Sequence, residues 1–149
     1  MSEPFYRRPS AVDRLVNRVV MALLRLGLAP AHMRVLEVRG RRTGQVYALP
    51  VDLLTEGERL FLVAPRGYTQ WVRNAEAAGV VVLRRGSQAR EYNLRPVSDT
   101  EKPRVLKAYL DRFRREVQRY FPVPAGSPVE AFGPIAPQYP AYELTGSRN

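Results

Sequence analysis

The sequence predicts an α+β fold in which a mainly antiparallel β-barrel of about six strands is flanked by three helices. Two observations support this prediction. Short apolar runs separated by tight turns follow one another as hairpins, and two longer stretches with helical periodicity frame them. With 149 residues the chain can bury a core without covalent staples, so we expect one domain over 1–149, with the barrel core over 33–145.

An amphipathic helix is predicted over residues 9–28, because apolar side chains recur there at steps of three and four residues. Gly27 lies where the helix should end. Arg14, Arg18 and Arg25 lie beside the apolar stripe. Two roles stay open: the helix packs on the barrel, or it makes weak contact with an acidic membrane surface.

Six strands are predicted from apolar runs and the turns between them. They cover residues 34–39, 46–54, 59–64, 80–83, 88–97 and 141–145. Pro50 cannot donate a ladder hydrogen bond, so we expect the second strand to have an edge or a bulge there. In the fifth strand Arg90, Tyr92 and Leu94 share one face, and neither face is wholly apolar, which places this strand at a rim or an interface.

Two further helices are predicted in the middle and the second half of the chain. The first covers 70–78 and ends at Gly79. The second covers about 99–120, with Thr100 as its cap and Pro103 in its first turn, where the missing N–H does no harm. The proline-rich stretch 121–140 is expected to be ordered but irregular.

The composition limits the function. There is no cysteine, which excludes disulfides, thiolate nucleophiles and cysteine metal sites, and the single histidine, His32, excludes a site with two imidazoles, so no metal site is predicted. The net charge is +10, which predicts an anionic partner: nucleic acid, acidic lipid or a polyanionic small molecule. No apolar run approaches the ~20 residues of a membrane span, and we expect a cytoplasmic protein, with membrane association left open.

The turn at 40–45 has the sequence Gly-Arg-Arg-Thr-Gly-Gln and lies between two predicted strands. Its glycines allow a tight backbone, its successive N–H groups can form an anion nest, and its arginines can bond phosphate oxygens in pairs. It is not the nucleoside-triphosphate loop, which has a lysine and opens a helix. By itself the turn is also compatible with an ordinary solvated hairpin.

A second cluster lies at the start of the predicted middle helix. Trp71, the only tryptophan, and Asn74 are three residues apart and therefore share a helix face. They offer an indole and a carboxamide to a flat polar ligand, close to a helix N-terminus that favours anions. The alternative is that Trp71 is only a core anchor.

Together these clusters resemble the deazaflavin-dependent nitroreductase family. The resemblance rests on the segments 38–45, 49–51, 67–79 and 139–145, which follow one another in the family's order. It implies a split β-barrel of the kind found in pyridoxamine-phosphate oxidases and the deazaflavin coenzyme F-420 as cofactor. It also implies hydride transfer to a conjugated small molecule such as a quinone, an enone or a nitro compound, and a homodimer in many relatives.

The resemblance also implies a set of cofactor-binding residues: the turn for the phosphate, β-strand residues beside the ring, and the helix as a wall of the pocket. Arg66 is a candidate for the acidic tail of the cofactor. The full set is Arg41, Arg42, Thr43, Gln45, Pro50, Val51, Arg66, Trp71 and Asn74. No catalytic side chain is assigned, because the cofactor supplies the hydride.

Two other functions stay open from the residues alone. A related barrel could bind FMN or a tetrapyrrole, although a lone histidine and no cysteine make haem ligation weak. A non-enzymatic nucleic-acid-binding domain would fit the charge, but the predicted strands carry few aromatic residues, so no nucleic-acid partner is expected.

Overall fold

The structure is a computed structural model that describes residues 11–146. Its helices are α1 (Ala11–Arg25), α2 (Gln70–Ala78), α3 (Lys102–Arg112) and α4 (Arg114–Val117). Its strands are β1 (Met33–Arg39), β2 (Val46–Glu56), β3 (Arg59–Val63), β4 (Val80–Arg85), β5 (Gln88–Pro96) and β6 (Ala141–Gly146). Short 3₁₀ helices cover Gln118–Tyr120, Val129–Phe132 and Ala136–Gln138.

The six strands close into a barrel in the order β1-β2-β3-β6-β5-β4, and every pair is antiparallel. The predicted α+β fold with a barrel of six strands is confirmed. The final strand closes the barrel by pairing with β3 on one side and β5 on the other. That the chain forms a single domain over its whole length stays a prediction.

Strand β2 changes its neighbours halfway along. Residues 46–52 pair with β1, and residues 53–56 pair with β3. The Leu53 amide donates to the His32 carbonyl at 2.8 Å, and because amides alternate along a strand, the ring nitrogen of Pro50 faces away from β1. Pro50 therefore occupies the edge position that the sequence predicts, because this half of β2 pairs with β1 and its other edge is open.

Two apolar cores lie on the two sides of the barrel wall. The interior holds side chains such as Leu36, Val38 and Leu83. The second core lies between the outside of the barrel and α3, where Phe61 packs with Leu106 and other fully buried side chains. The irregular segment 121–140 covers this second core, which explains how a proline-rich stretch stays ordered.

The predicted third helix differs from the structure at its start and in its middle. Thr100 is not its cap: α3 begins at Lys102, and the Glu101 amide donates to the Ser98 hydroxyl. Helix α3 then ends at Phe113, whose backbone (φ −115°, ψ 29°) leaves the helical region. The Phe113 ring is buried against Tyr109 and His32, so packing overrides the helical pattern of the sequence.

Helix α1 packs on the barrel through one face and leaves another face uncovered. Leu24 is fully buried with Val35, and Val20 and Met21 pack beside it. Residues 9 and 10 of the predicted helix lie outside the described residues. Within 11–146, no helix has the length and apolar character needed to cross a bilayer.

A carboxylate is buried where β1, β2 and α4 meet. Burial raises the pKa of Asp52 to about 6, against the attraction of His32, whose Nε2 lies 3.3 Å from Asp52 Oδ1. Glu116, 3.7 Å from the same nitrogen, raises the Asp52 pKa further. Between pH 3.8, the ordinary pKa of an aspartate, and about pH 6, the folded protein therefore binds more protons than the unfolded chain. In this range the free energy of unfolding falls as the pH rises.

The replacement Asp52→Asn is expected to stabilise the protein at pH 7.5 by about 1–3 kcal/mol, because it removes the cost of burying the charge. Below about pH 3 the aspartate is mostly neutral in both states, because its ordinary pKa is 3.8, so the variant and the wild type should have nearly equal stability. Urea unfolding at about pH 3 and at pH 7.5 measures both differences. A destabilised variant at pH 7.5 would show instead that the contact with His32 outweighs the cost of burial.

Candidate cofactor-binding groove

A groove of about 420 Å³ lies at the end of the barrel where β1 enters the basic turn and α2 begins. The turn forms one wall, the first residues of β2 form the floor, and the first turn of α2 forms the opposite wall. The lining residues are Gly40, Arg41, Arg42, Thr43, Tyr47, Ala48, Leu49, Gln70, Trp71 and Asn74. The two clusters that the sequence singles out therefore face each other.

Hydrogen bonds within the turn hold its backbone in one shape. The Gly40 amide donates to the Gln45 carbonyl at 2.6 Å, and the Gly44 amide donates to the Gly40 carbonyl at 3.0 Å. Gly44 has φ +75°, which glycine adopts without strain. Gly40 is buried so tightly that an added Cβ would lie 2.7 Å from the Tyr47 ring. The turn therefore requires glycine at Gly44, and a side chain at position 40 would displace the Tyr47 ring.

Arg41 connects the turn to α2. Its backbone amide and its Nη1 both donate to Asn74 Oδ1, at 3.1 and 2.6 Å, and its Nη2 donates to Gln70 Oε1 at 3.0 Å. The Asn74 side chain is only 7% exposed, and a buried carboxamide oxygen needs such partners. These bonds fix the Arg41 guanidinium at the edge of the groove without a carboxylate to neutralise it.

The groove combines positive charge at the turn with apolar surface beside it. None of its lining residues is an aspartate or a glutamate, and Arg42 and Thr43 are exposed. The N-terminus of α2, which favours anions, lies on the same side. Trp71 packs against the barrel core and also lines the groove, so it is both a core anchor and a wall.

Five of the nine predicted site residues line this groove: Arg41, Arg42, Thr43, Trp71 and Asn74. The structure places the other four outside its lining. Gln45 shapes the turn through its backbone, donating to the Thr43 hydroxyl at 3.2 Å. Pro50 and Val51 lie further along β2, with Val51 against the barrel core. Contacts between these residues and a cofactor stay predictions.

Arg66 lies in the loop before α2, away from the groove lining. Its guanidinium carbon lies 6.0 Å from the centre of the Tyr120 ring. Its Nε and the Thr69 hydroxyl oxygen are buried and have no hydrogen-bond partner within residues 11–146. These two polar groups near the start of α2 are compatible with the predicted role of Arg66 toward an acidic tail, which stays a prediction.

Sequence reasoning missed four of the lining side chains, those of Tyr47, Ala48, Leu49 and Gln70. Gln70 precedes Asn74 by four residues, so helical spacing predicts that the two share a face, and this signal was available. Tyr47 and Leu49 line the groove from β2. These two residues are two positions apart, so strand geometry predicts that they share a face. Nothing in the sequence shows on which face of β2 the helix α2 packs.

The fold and the groove together define the class of protein. It is a split β-barrel in which a basic turn lies opposite the start of a helix that carries an aromatic side chain. The chain matches the model of the F420H(2)-dependent quinone reductase family over residues 12–121. It belongs to this family and is an F-420-dependent reductase. Among curated proteins, none matches the sequence of this chain.

Solved structures share the fold at low sequence identity. An F-420-dependent reductase (FDR-A) superposes with a TM-score of 0.53 at 14% identity, covering 76% of this chain and 94% of that one. A protein described as a domain-swapped dimer gives 0.55 at 14%, covering 91% and 99%. A candidate pyridoxamine 5′-phosphate oxidase from Listeria innocua gives 0.54 at 12%, covering 89% and 94%. These similarities confirm the split-barrel fold.

Proposed function

We propose that this reductase transfers a hydride from reduced F-420 to a quinone or a related conjugated acceptor, with the cofactor held in the groove between the basic turn and α2. The observation that carries the proposal is the Arg41–Asn74 connection, which presents an uncompensated guanidinium beside an aromatic wall. The expected membership of the nitroreductase-like deazaflavin enzymes agrees with the family match.

The residues of the groove fit a phosphorylated, ring-bearing cofactor. Arg41 and Arg42 would bond the phosphate oxygens, and the Thr43 hydroxyl adds a third donor. Trp71 and Leu49 offer apolar surface to the ring. The tight packing of Gly40 lets the turn lie close to Tyr47, where a side chain at position 40 would intrude.

When bound, reduced F-420 supplies the hydride. The protein contributes binding and orientation, since the hydrogen-bonded turn and the buried Asn74 hold their donors in place before the ligand arrives. Trp71 and Leu49 limit the access of water to one side of the groove. No side chain of the groove other than the arginines carries a charge, so the proton for the acceptor has to come from a neutral hydroxyl group or from water.

The test is a titration with oxidised F-420 and with FMN, followed by turnover of reduced F-420 with a quinone, an enone and a nitro compound. We expect saturable F-420 binding, much weaker FMN binding, and turnover with the quinone. Tight binding of FMN or of a tetrapyrrole without F-420 binding would overturn the proposal. So would binding of duplex DNA with a steep salt dependence and no cofactor affinity.

We also propose that the uncovered face of α1 contacts an anionic lipid surface at the cytoplasmic side of a membrane. Leu15 and Val19 of α1 are 62% and 54% exposed and lie four residues apart, and Leu26, in the turn that follows the helix, is 70% exposed. Arg14, Arg18 and Arg25 form an exposed stripe beside them. An apolar ridge flanked by cations is suited to insertion among acidic headgroups.

Vesicle binding checks this lipid contact. The double variant Leu15→Gln with Leu26→Gln is expected to bind vesicles of anionic phospholipid at least tenfold more weakly, because each leucine contributes up to ~1.5–3 kcal/mol when it is fully inserted among the lipids. Neutral vesicles serve as the control and should bind the wild type weakly. Equal binding of the variant and the wild type would contradict the proposal.

We propose further that the protein forms a homodimer, and that the open half of β2 takes part. Residues 46–52 of β2 have one strand neighbour, and Val46 and Tyr47 are 54% and 45% exposed. A strand with one open edge and exposed apolar side chains is suited to pairing with a second chain. Sedimentation velocity measures the mass, and a monomer at micromolar concentration would contradict this.

A further inference from the structure

A second and larger cavity, of about 840 Å³, lies at the opposite end of the barrel from the cofactor groove. Strands β1, β3 and β5 begin at this end, and β2 and β4 finish there. The polar and charged lining residues are Arg34, Thr55, Arg85, Ser87, Gln88, Arg90 and Glu91. At ~3.3 Å per residue, a strand of six residues separates the two ends by roughly 20 Å.

Three arginines point from neighbouring strands toward the barrel interior. Arg34 lies two residues before the buried Leu36, so the two side chains are on one face of β1. Arg85 follows Leu83 in the same way on β4. On β5, Arg90 precedes Tyr92, which packs against the same core. The registers β1–β4 and β4–β5 therefore bring three guanidinium groups to one opening.

Arg34 and Arg85 differ from three arginines on the outside of the barrel. Arg59, Arg84 and Arg104 each form an ion pair with a glutamate. Arg34 and Arg85 donate only to backbone carbonyls within residues 11–146. Burial lowers the pKa of Arg34, and the adjacent positive charge of Arg85 lowers it further. Two like charges therefore lie side by side with no carboxylate bonded to either.

The carbonyl contacts explain part of this arrangement. Arg85 donates to the carbonyls of Ala29 and Pro30, and Arg34 donates to that of Ala31, so both arginines hold the segment between α1 and β1. Neutral carbonyls accept hydrogen bonds but do not cancel the charge. Arg90 does not contact this segment: its guanidinium carbon lies 5.2 Å from the centre of the Tyr92 ring. This ring contact places the exposed Arg90 side chain at the opening of the cavity.

We propose that this end of the barrel binds a small phosphorylated anion with two or more phosphate groups. Three guanidinium groups from three strands can each contact a different oxygen, and Thr55, Ser87 and Gln88 add neutral donors around them. The cavity is roomy enough for a diphosphate with its hydration. The site is separate from the cofactor groove, because the lining residues of the two cavities do not overlap.

Pyrophosphate is the probe, titrated by isothermal calorimetry into the full-length protein saturated with F-420. The titration is repeated with the Arg41→Ala/Arg42→Ala variant, so the result does not depend on the cofactor groove. We expect one pyrophosphate per chain in both cases. Arg90→Ala is expected to weaken this binding about tenfold or more, as the loss of a charge-assisted bond implies. Inorganic phosphate should bind more weakly than pyrophosphate.

The matched control is Arg115→Ala, which removes one exposed arginine of α4 and should leave pyrophosphate affinity unchanged. Gln88→Glu, on the exposed turn side of the opening, adds a carboxylate and should weaken binding without touching the core. No binding to the wild type, or equal losses in the Arg90 and Arg115 variants, would overturn the proposal. So would pyrophosphate binding that is seen only when F-420 is left out of the titration, which would assign the anion to the cofactor groove.

Discussion

Replacing Arg41 and Arg42 together by alanine is expected to weaken F-420 binding by about a hundredfold or more. Each lost charge-assisted bond to a phosphate contributes ~1.5–3 kcal/mol. Both arginines are exposed, and Arg41 is bonded to neutral partners, so the loss should fall on the cofactor rather than on the fold. Fluorescence titration with F-420 measures the affinity, and urea unfolding measures the stability.

The matched control is Arg114→Ala with Arg115→Ala. It removes two adjacent arginines from α4, which lies outside the groove lining, and therefore lowers the net charge by the same amount. We expect this control to retain wild-type affinity. If both double variants lost affinity equally, the contribution of the turn would be general attraction of an anion by a basic protein rather than contact at the groove.

Asn74→Asp is expected to have the second-largest effect, about tenfold to a hundredfold weaker F-420 binding. The carboxylate keeps the shape of the side chain and still accepts from Arg41, 2.6 Å away in the wild type. It would also neutralise that guanidinium and repel a phosphate beside it. Burial of the new carboxylate costs stability, and the ion pair with Arg41 offsets part of that cost, so urea unfolding accompanies the titration to show that the variant is folded.

The control for this substitution is Asn93→Asp, which adds one carboxylate on the exposed face of β5. Its affinity for F-420 should match that of the wild type. An Asn74→Asp variant that folds and binds F-420 with wild-type affinity would contradict a phosphate position next to Arg41, even if the enzyme were active.

The barrel and the groove could be predicted where the signal was local. The glycines and arginines of 40–45, and the helix from Gln70 to Gly79, are set by short-range turn and capping chemistry, and the structure places them opposite each other. The break at Phe113 could not be predicted, because the burial of its ring against His32 joins elements far apart in the sequence.

Other features needed the strand registers. Arg34, Arg85 and Arg90 lie far apart in the sequence and reach one opening only because β1, β4 and β5 are neighbours in the closed barrel. In the sequence they are three arginines among 24 basic residues, a surplus that predicts an anionic partner but not where it binds. The packing of Val51 against the barrel core could not be predicted either, since the pattern of a strand does not say which of its faces lies inside the barrel.

The groove contains a natural reporter, because Trp71 is the only tryptophan in the chain and lines it. Tryptophan fluorescence during titration with oxidised F-420 therefore tests the central claim most directly. We predict saturable quenching at one cofactor per chain, with the midpoint shifted to much higher concentration in the Arg41→Ala/Arg42→Ala variant. Cofactor binding seen by the polarisation of F-420 emission, with Trp71 fluorescence unchanged, would show that the cofactor lies elsewhere.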